Sequence, residues 1–179
     1  MKLGVKLSKK LVFGLNDPRF MALAIERARE RFRKGQRPIH CVIVDRDGSI
    51  VGEAGNTVAK TRDPSAHAEV NAIRKACAAL RTTDLSGCTL YTPMEPCPMC
   101  LSTILEAGIT RVVVGARHRS RVGRRDLGSY SMESLLRMTK RRLEIVSIKE
   151  SECVKLRLAW LKRLSRTANR RPRRRHNDQ

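Results

Sequence analysis

The sequence lacks any apolar run that approaches the roughly 20 residues needed to span a bilayer. Its longest early apolar run, residues 11–15, is also too short for the hydrophobic core of a secretory signal peptide. The N-terminal segment carries scattered lysines and is predicted to be a basic arm in solution, with a transit peptide as the alternative because acids are absent from its start. We therefore expect a cytoplasmic protein with no membrane partner.

The six cysteines lack the regular spacing of a disulfide framework. Only Cys97 and Cys100 form a closely spaced pair, Cys-x-x-Cys, which is typical of metal binding or redox chemistry. Thiolates of that kind suit a reducing compartment, which again indicates the cytoplasm.

Acidic residues are scarce, with 17 Asp and Glu against 38 Lys and Arg and a formal net charge of +21. A surface this basic attracts polyanions. Residues 161–179 hold eight basic residues and one acidic residue, so about +14 stays on the rest of the chain. Two interpretations remain open: contact with RNA through the basic surface and tail, or a basic surface that is simply solvated.

The residues that carry chemistry fall in two short segments, Ser-Ala-His-Ala-Glu at 65–69 and Glu-Pro-Cys-Pro-Met-Cys at 95–100. They contain His67, Cys97 and Cys100, which supply one imidazole and two potential thiolates. Zinc accepts this set at tetrahedral geometry, and three protein ligands leave the fourth position free for water, as in catalytic zinc sites. The sequence therefore predicts Zn²⁺ as cofactor.

Glu69 follows His67 by two residues, close enough to stand beside a zinc-bound water without binding the metal. A carboxylate in that position takes a proton from the water and delivers it to a leaving group. By itself, a Cys-x-x-Cys pair also fits a redox pair or half of a structural zinc site. A structural site needs a fourth ligand, and the remaining candidates show no second paired spacing: Cys41, Cys77, Cys88, Cys153, His40, His118 and His176.

The apolar pattern predicts one domain of ordinary size at residues 17–164, after a basic arm at 1–16 and before a disordered Arg-rich tail at 165–179. The first predicted helix begins at 16–18 and ends near residue 35. Four further helices are predicted at 66–80, 98–108, 131–138 and 151–164. Predicted strands cover 39–44, 50–55, 88–92, 111–115 and 143–148, with a loop at 117–129. The first two strands form a hairpin, and the later alternation of strands and helices favours an α/β fold around a mixed sheet. No internal repeat is present.

Two motifs carry a resemblance to a known superfamily. Asp-Pro-Ser-Ala-His-Ala-Glu-Val-Asn-Ala-Ile-Arg at 63–74 and Leu-Tyr-Thr-Pro-Met-Glu-Pro-Cys-Pro-Met-Cys at 90–100 resemble the cytidine deaminase-like superfamily, whose His-x-Glu and Pro-Cys-x-x-Cys signature they contain. The resemblance extends from about residue 17 to residue 160. It is closest to the branch that holds guanine deaminases, cytosine deaminases and tRNA adenosine deaminases.

This resemblance implies a three-layer αβα sandwich with a five-stranded mixed sheet, and it implies a homodimer. It also implies a zinc ion at the three ligands named above, with Glu69 as general acid and base. The asparagine that follows the second strand in such families corresponds to Asn56, which is expected to bind the base or ribose, and the amide of Ala68 is expected to face the base edge. His40 and Cys41 depart from the small Gly-Ala pair of many relatives. His40 is therefore either a core residue or a contact in the floor of the base pocket.

The expected reaction is hydrolytic removal of the exocyclic amino group of a nucleobase or nucleoside, with release of ammonia. Guanine or cytosine is the leading substrate because 90–92 and the Cys-Pro-Met-Cys segment resemble those enzymes more closely. The alternative is a tRNA-specific adenosine deaminase that makes inosine in the anticodon loop, which Gly115, Ala116, Arg117 and the net charge favour. A second alternative is a non-catalytic, zinc-stabilised RNA-binding module, against which Glu69 speaks, because a structural site needs no carboxylate there.

Overall fold

The computed structural model describes the backbone of residues 9–118 and 127–169 and the side chains of 17–118 and 127–167. The described helices are α1 (Lys9–Arg33), α2 (Val58–Thr61), α3 (Ala68–Leu80), α4 (Pro98–Glu106), α5 (Met132–Thr139) and α6 (Glu150–Asn169). The described strands are β1 (His40–Val44), β2 (Ile50–Gly55), β3 (Thr89–Met94), β4 (Arg111–Ala116) and β5 (Glu144–Ser147).

The five strands form one mixed sheet in the order β2-β1-β3-β4-β5. β1 pairs antiparallel with β2 and β3, whereas β3 with β4 and β4 with β5 run parallel. The β1–β2 turn is held by Asp45, whose carboxylate accepts hydrogen bonds from the backbone N–H groups of Asp47 and Ser49 at 3.0 and 2.9 Å. Gly48 adopts φ +85° in this turn, a conformation that glycine reaches at no steric cost.

Helices cover both faces of the sheet because alternate residues of the central strands point to opposite sides. On β1, Cys41 and Ile43 belong to the core beneath α3, α4 and α5, whereas Val42 and Val44 belong to the core beneath α1 and α6. This confirms the three-layer αβα sandwich with a five-stranded mixed sheet.

The first helix begins at Lys9, so the helix start predicted at 16–18 is wrong, and residues 9–16 of the predicted arm are helical. Pro18 lies inside the helix, where its missing N–H removes one backbone hydrogen bond without ending the helix. Asp17 is therefore not a capping residue. It is buried and paired with Arg111 of β4, with oxygen–nitrogen distances of 2.9 and 2.5 Å, and it accepts a hydrogen bond from Tyr91 of β3 at 2.8 Å.

Strand β3 continues through Pro93 to Met94, beyond the end predicted at residue 92. The pairing of β3 with β1 stops at Tyr91, so no β1 carbonyl requires an N–H from Pro93. On the other side, Thr92 and Met94 keep their β4 partners, Val114 and Ala116.

The last helix runs to Asn169, so residues 165–169 are helical and the domain boundary predicted at 164 falls inside α6. The rest of the predicted tail, 170–179, lies outside the described residues, as do 1–8 of the arm and 119–126 of the predicted loop. Within the described ranges, no helix combines the length and apolarity that crossing a membrane requires.

Candidate metal centre and active site

His67, Cys97 and Cys100 meet at the ends of two helices. The Nδ1 atom of His67 lies 3.6 Å from the sulfur of Cys97 and 3.3 Å from the sulfur of Cys100, and the two sulfurs are 3.6 Å apart. The structure thus brings together three residues that come from segments about 30 positions apart in the chain. Both sulfurs are buried, and the imidazole is half-buried.

Each helix contributes its N-terminus to the centre. His67 is the N-cap residue of α3, not a member of its first turn as predicted, and Cys97 is the N-cap residue of α4, where Pro98 occupies the first helical position. Backbone N–H groups at a helix start have no intrahelical acceptor, and the helix dipole places partial positive charge there. Both effects stabilise negative charge on the thiolates and on an oxygen nucleophile held between them.

The spacing of the three ligand atoms fits zinc. A tetrahedral site with Zn–S of about 2.3 Å and Zn–N of about 2.0 Å places two sulfurs about 3.8 Å apart and a sulfur and a nitrogen about 3.5 Å apart. The observed separations of 3.6, 3.6 and 3.3 Å are close to these values. The donor set also fits, because two thiolates and one imidazole are ligands that zinc prefers over magnesium or calcium.

The two cysteines share protons in a way that couples metal binding to pH. The hydrogen bond between the two sulfurs, together with the contact to His67, lowers the pKa of Cys97 to about 4. The same hydrogen bond, with burial, raises the pKa of Cys100. Both thiols must lose their protons to bind zinc, so metal binding releases protons and weakens at low pH.

Glu69 stands beside the three ligands in the first turn of α3. Its carboxylate is buried and lies 3.6 Å from the sulfur of Cys100 through Oε2, while Oε1 accepts a hydrogen bond from the Thr92 hydroxyl at 3.2 Å. Burial is the main cause that raises the pKa of Glu69 above the usual value for a glutamate. A carboxyl group with a raised pKa is suited to give and take protons near neutral pH.

A pocket opens onto this centre. His67, Glu69 and Cys97 form its inner end, and the remaining walls come from Arg37, Ile39, Asn56, Met94, Glu95, His118 and Arg157. Asn56 is 8% exposed as a residue and lines the pocket, and its side-chain amide makes no hydrogen bond within the described part of the chain. The amide is therefore available to donate and accept hydrogen bonds with a ligand in the pocket.

Arg31 holds the Asn56 segment in place. Its guanidinium donates to the backbone carbonyl groups of Asn56 and Arg37, and it lies directly against Gly55. A Cβ atom at Gly55 would overlap this guanidinium, so the glycine is needed for the close approach.

Ala68 is fully buried and is the first residue of α3, where its N–H has no intrahelical acceptor. Its contact with the base edge stays a prediction. His40 does not line the pocket; it is the first residue of β1 and lines a separate depression. Its Nε2 lies 3.9 Å from a carboxylate oxygen of Glu53 and has no hydrogen-bond partner among the described residues. The substrate contact considered for His40 therefore finds no support in the structure, and Cys41 is a fully buried core residue.

Sequence reasoning missed four pocket residues, Arg37, Glu95, His118 and Arg157. Glu95 is buried and accepts hydrogen bonds from Arg117 Nε and from the backbone N–H groups of His118 and Met132, at 3.0, 2.7 and 3.0 Å. Its position two residues before Cys97 was the one available signal. The other three lie in loops or on α6, and only the tertiary fold brings them to the pocket.

An α/β sheet that carries a His-Cys-Cys centre with a glutamate beside it defines the zinc-dependent deaminase class. The family model described as cytidine and deoxycytidylate deaminase zinc-binding region matches residues 15–116, a range that includes all four of these side chains. The chain belongs to this family, as its motifs predicted.

The named relatives include deaminases of two activities. The chain is 38% identical over 104 residues to a tRNA-specific adenosine deaminase of Aquifex aeolicus, covering 58% of this chain and 68% of the relative. It is 45% identical over 105 residues to a guanine deaminase of Bacillus subtilis, covering 58% and 67%. A solved structure from work on A-to-I editing by tRNA:A34 deaminases at the wobble position superposes with a TM-score of 0.67 at 33% identity, covering 78% of this chain and 99% of the other.

Proposed function

We propose that the chain is a zinc-dependent hydrolase that removes the exocyclic amino group of a nucleobase as ammonia. The observation that carries the proposal is the placement of Glu69 beside His67, Cys97 and Cys100, at the inner end of a pocket. A purely structural zinc site has no use for a buried carboxylate with a raised pKa next to its ligands. The non-catalytic RNA-binding module is therefore disfavoured.

His67, Cys97 and Cys100 would hold the zinc ion, which would supply a water acidic enough to provide a nucleophile near neutral pH. Glu69 accepts one proton of the attacking water and passes it to the ring nitrogen next to the reacting carbon. Glu69 then takes the proton of the hydroxyl added to that carbon and gives it to the amine, so that the carbon–nitrogen bond breaks, a carbonyl forms and ammonia leaves. The Asn56 amide and the Ala68 N–H hold the base in the orientation that presents its amino-bearing carbon to the water. Burial of Glu69 keeps solvent from competing for the proton.

Two substrates are candidates for this reaction, a free base and an adenosine in a tRNA loop. Similarity of residues 90–92 and of the Cys-Pro-Met-Cys segment places free guanine or cytosine first, in agreement with the name of the Bacillus subtilis relative. The name of the Aquifex aeolicus relative agrees equally with the other candidate, an adenosine in a tRNA loop.

One structural observation favours the tRNA candidate. The exposed Arg37 lines the pocket that opens onto Glu69. A free base carries no negative charge for this cation to neutralise, whereas a nucleotide in RNA brings a phosphate next to its base.

Ammonia release from a panel of guanine, cytosine, their nucleosides, adenosine and an anticodon stem-loop tests the reaction and ranks its substrates. We expect release from at least one member, and loss of that release in the Glu69→Gln variant of the same protein. If no member of the panel released ammonia from zinc-loaded protein, the proposed activity would be wrong.

We also propose a homodimer, which the family resemblance implies. Met99 on α4 is 36% exposed and lies one residue before the metal-ligand candidate Cys100, so a partner subunit that covers it would also reach the site. Sedimentation of the purified chain as a single species of twice the monomer mass would support the dimer, and a monomer at micromolar concentration would contradict it.

A further inference from the structure

A groove continues from the catalytic pocket along the surface. It shares Arg37 and Asn56 with the pocket, and it runs between the end of α1 and helix α2, past Val58 and Lys60, to Trp160 of α6. Because the pocket and the groove share these two residues, a polymer with one base in the pocket would place its next unit in the groove. We call this surface the α1–α6 groove.

A second depression extends the α1–α6 groove along α6. It is lined by Phe32 of α1 and by Lys162, Arg163 and Arg166. Arg163 connects it to the α1–α6 groove, because its guanidinium lies 5.6 Å from the centre of the Phe32 ring, donates to the Phe32 carbonyl at 2.9 Å and approaches Gly35, which lines the groove.

Trp160 and Phe32 form the packed floor between the two depressions. Their rings meet edge to face with centroids 6.4 Å apart, and Trp160 is 8% exposed. The indole Nε1 of Trp160 is buried and has no hydrogen-bond acceptor among the described residues. The floor is thus aromatic, and it contains one buried donor, Nε1 of Trp160, for which the described chain offers no acceptor.

The α1–α6 groove and the second depression are both lined by cationic side chains. Arg37, Lys60, Lys162 and Arg166 are exposed, and within the described ranges no carboxylate lies at ion-pair distance from any of them. Lys162 and Arg166 are one turn apart on α6, about 6 Å along its axis, so both side chains extend from the same side of the helix. A single phosphate beside the pocket could reach Arg37 alone, whereas a row of phosphates could reach all four.

We propose that this path, the α1–α6 groove and the depression along α6, binds the backbone of single-stranded nucleic acid whose flipped-out nucleotide enters the catalytic pocket. The inference rests on the proposed function for the identity of the base that enters. Cations in a row along an apolar, aromatic floor are the arrangement by which proteins follow a single strand without reading its sequence. An acidic protein would also neutralise the cations, but it would have no group to place in the pocket with which the groove is continuous.

Binding is measured through Trp160, because it is the only tryptophan in the chain and so the only source of indole fluorescence. A Glu69→Gln protein is titrated with a 12-nucleotide single-stranded RNA, with DNA of the same sequence, and with free guanine, cytosine and adenosine. We expect saturable fluorescence changes with the oligonucleotides and none with the free bases or the nucleoside. A preference for RNA or for DNA then identifies which of the two is the natural strand.

A triple variant, Lys60→Gln, Lys162→Gln and Arg166→Gln, tests the path itself. Each phosphate contact on a single strand contributes roughly 0.7 to the slope of log affinity against log salt concentration, so this slope should become about 2 units shallower. The matched control removes three charges around the α5–β5 connection, by Arg137→Gln, Lys140→Gln and Arg142→Gln; these exposed residues line neither depression. The control should keep the parent slope.

Equal slopes for the two triple variants would overturn the proposal, and so would an inorganic polyphosphate that matched the oligonucleotide in affinity and in fluorescence change. The outcome is separable from that of the proposed function, because fluorescence reports binding without turnover. Oligonucleotide binding with the predicted salt dependence, together with no ammonia from any substrate, would support the path and contradict the deaminase. Ammonia from a free base, with equal slopes for the two variants, would do the reverse.

Discussion

The Thr92 hydroxyl donates a hydrogen bond to the Glu69 carboxylate across 3.2 Å, and so links the centre of β3 to the first turn of α3. The same hydroxyl lies 3.1 Å from the Met94 carbonyl, which follows it by two residues on the strand. The proton shuttle is therefore held by the central strand of the sheet and by its own helix. A carboxylate fixed in this way needs little reorganisation during proton transfer.

Replacing Glu69 by Gln should abolish most turnover while leaving zinc in place, because Glu69 is proposed to move protons and does not belong to the ligand set. General acid and base catalysis contributes roughly 10²- to 10⁴-fold, and a residue that serves both roles could contribute more. Steady-state ammonia release and zinc analysis of the same preparation check both parts. Activity within tenfold of the parent would contradict the mechanism.

Replacing Cys97 or Cys100 by Ala should remove the metal and lower stability together, because a zinc site is formed by folding and in turn stabilises the fold. The parent should hold about one zinc per chain. Cys88 is also buried but lies outside the centre, so Cys88→Ala is the matched control and should keep its zinc. Elemental analysis after dialysis decides the point, and full zinc content in both variants would remove these ligands from consideration.

Variants of two asparagines distinguish a role in substrate binding from a role in stability. Asn56 has a pocket-lining amide without a partner among the described residues, whereas the Asn71 amide donates to Gly55, Thr57 and Ala66 at 3.1, 2.9 and 3.2 Å. Asn56→Ala should raise KM by roughly 5- to 10-fold, the value of about one hydrogen bond, with little change in the melting temperature. Asn71→Ala should lower the melting temperature instead. The opposite pattern would show that Asn56 is a structural residue.

The metal centre and the layers could be predicted from the sequence because their signals are local. Residue type and spacing restrict what His67, Cys97 and Cys100 can do together, and Pro98 marks the start of the helix that carries Cys100. Hydrophobic periods of two and of three to four residues located the strands and helices to within a few positions, except at the beginning of α1 and the end of α6.

The groove could not be predicted, because residues far apart in sequence form it. Helices α1 and α6 meet through contacts such as that of Arg29 with Glu152, at 2.6 Å, and that of Arg163 with Phe32. Nothing in the local pattern of either helix indicates its partner. The helix start predicted at 16–18 is wrong for a related reason, since the pairing of Asp17 with Arg111 across the sheet was not visible in the residues around it.

Asp17→Asn should be the most destabilising of the charge-neutralising changes outside the metal centre. It leaves the guanidinium of Arg111, 16% exposed at its side chain, without its main partner, and breaking a buried pair in this way typically costs about 3–5 kcal/mol. Glu144, more exposed and 3.5 Å away, should reduce the loss toward the lower figure. Glu26→Gln is the control, because the Glu26–Arg33 pair is exposed and contributes about 1 kcal/mol or less. Urea unfolding with zinc in excess measures both, and equal losses would contradict the assigned role of Asp17.

His40 should make stability depend on pH between about 6.5 and 4. Burial lowers the pKa of His40 to about 4, helped by the positive charges of Arg31, Arg27 and Lys75, while a carboxylate oxygen of Glu53 lies 3.9 Å from its Nε2. In that range the unfolded chain binds a proton at His40 and the folded chain does not, so stability is fully present above about pH 6.5 and falls as the pH is lowered toward 4. Between pH 7 and pH 5 this contributes up to about 2 kcal/mol. Comparison with His40→Gln isolates the contribution, because loss of zinc at low pH is common to both proteins, and parallel stability curves for the two would show that His40 is not kept neutral by the fold.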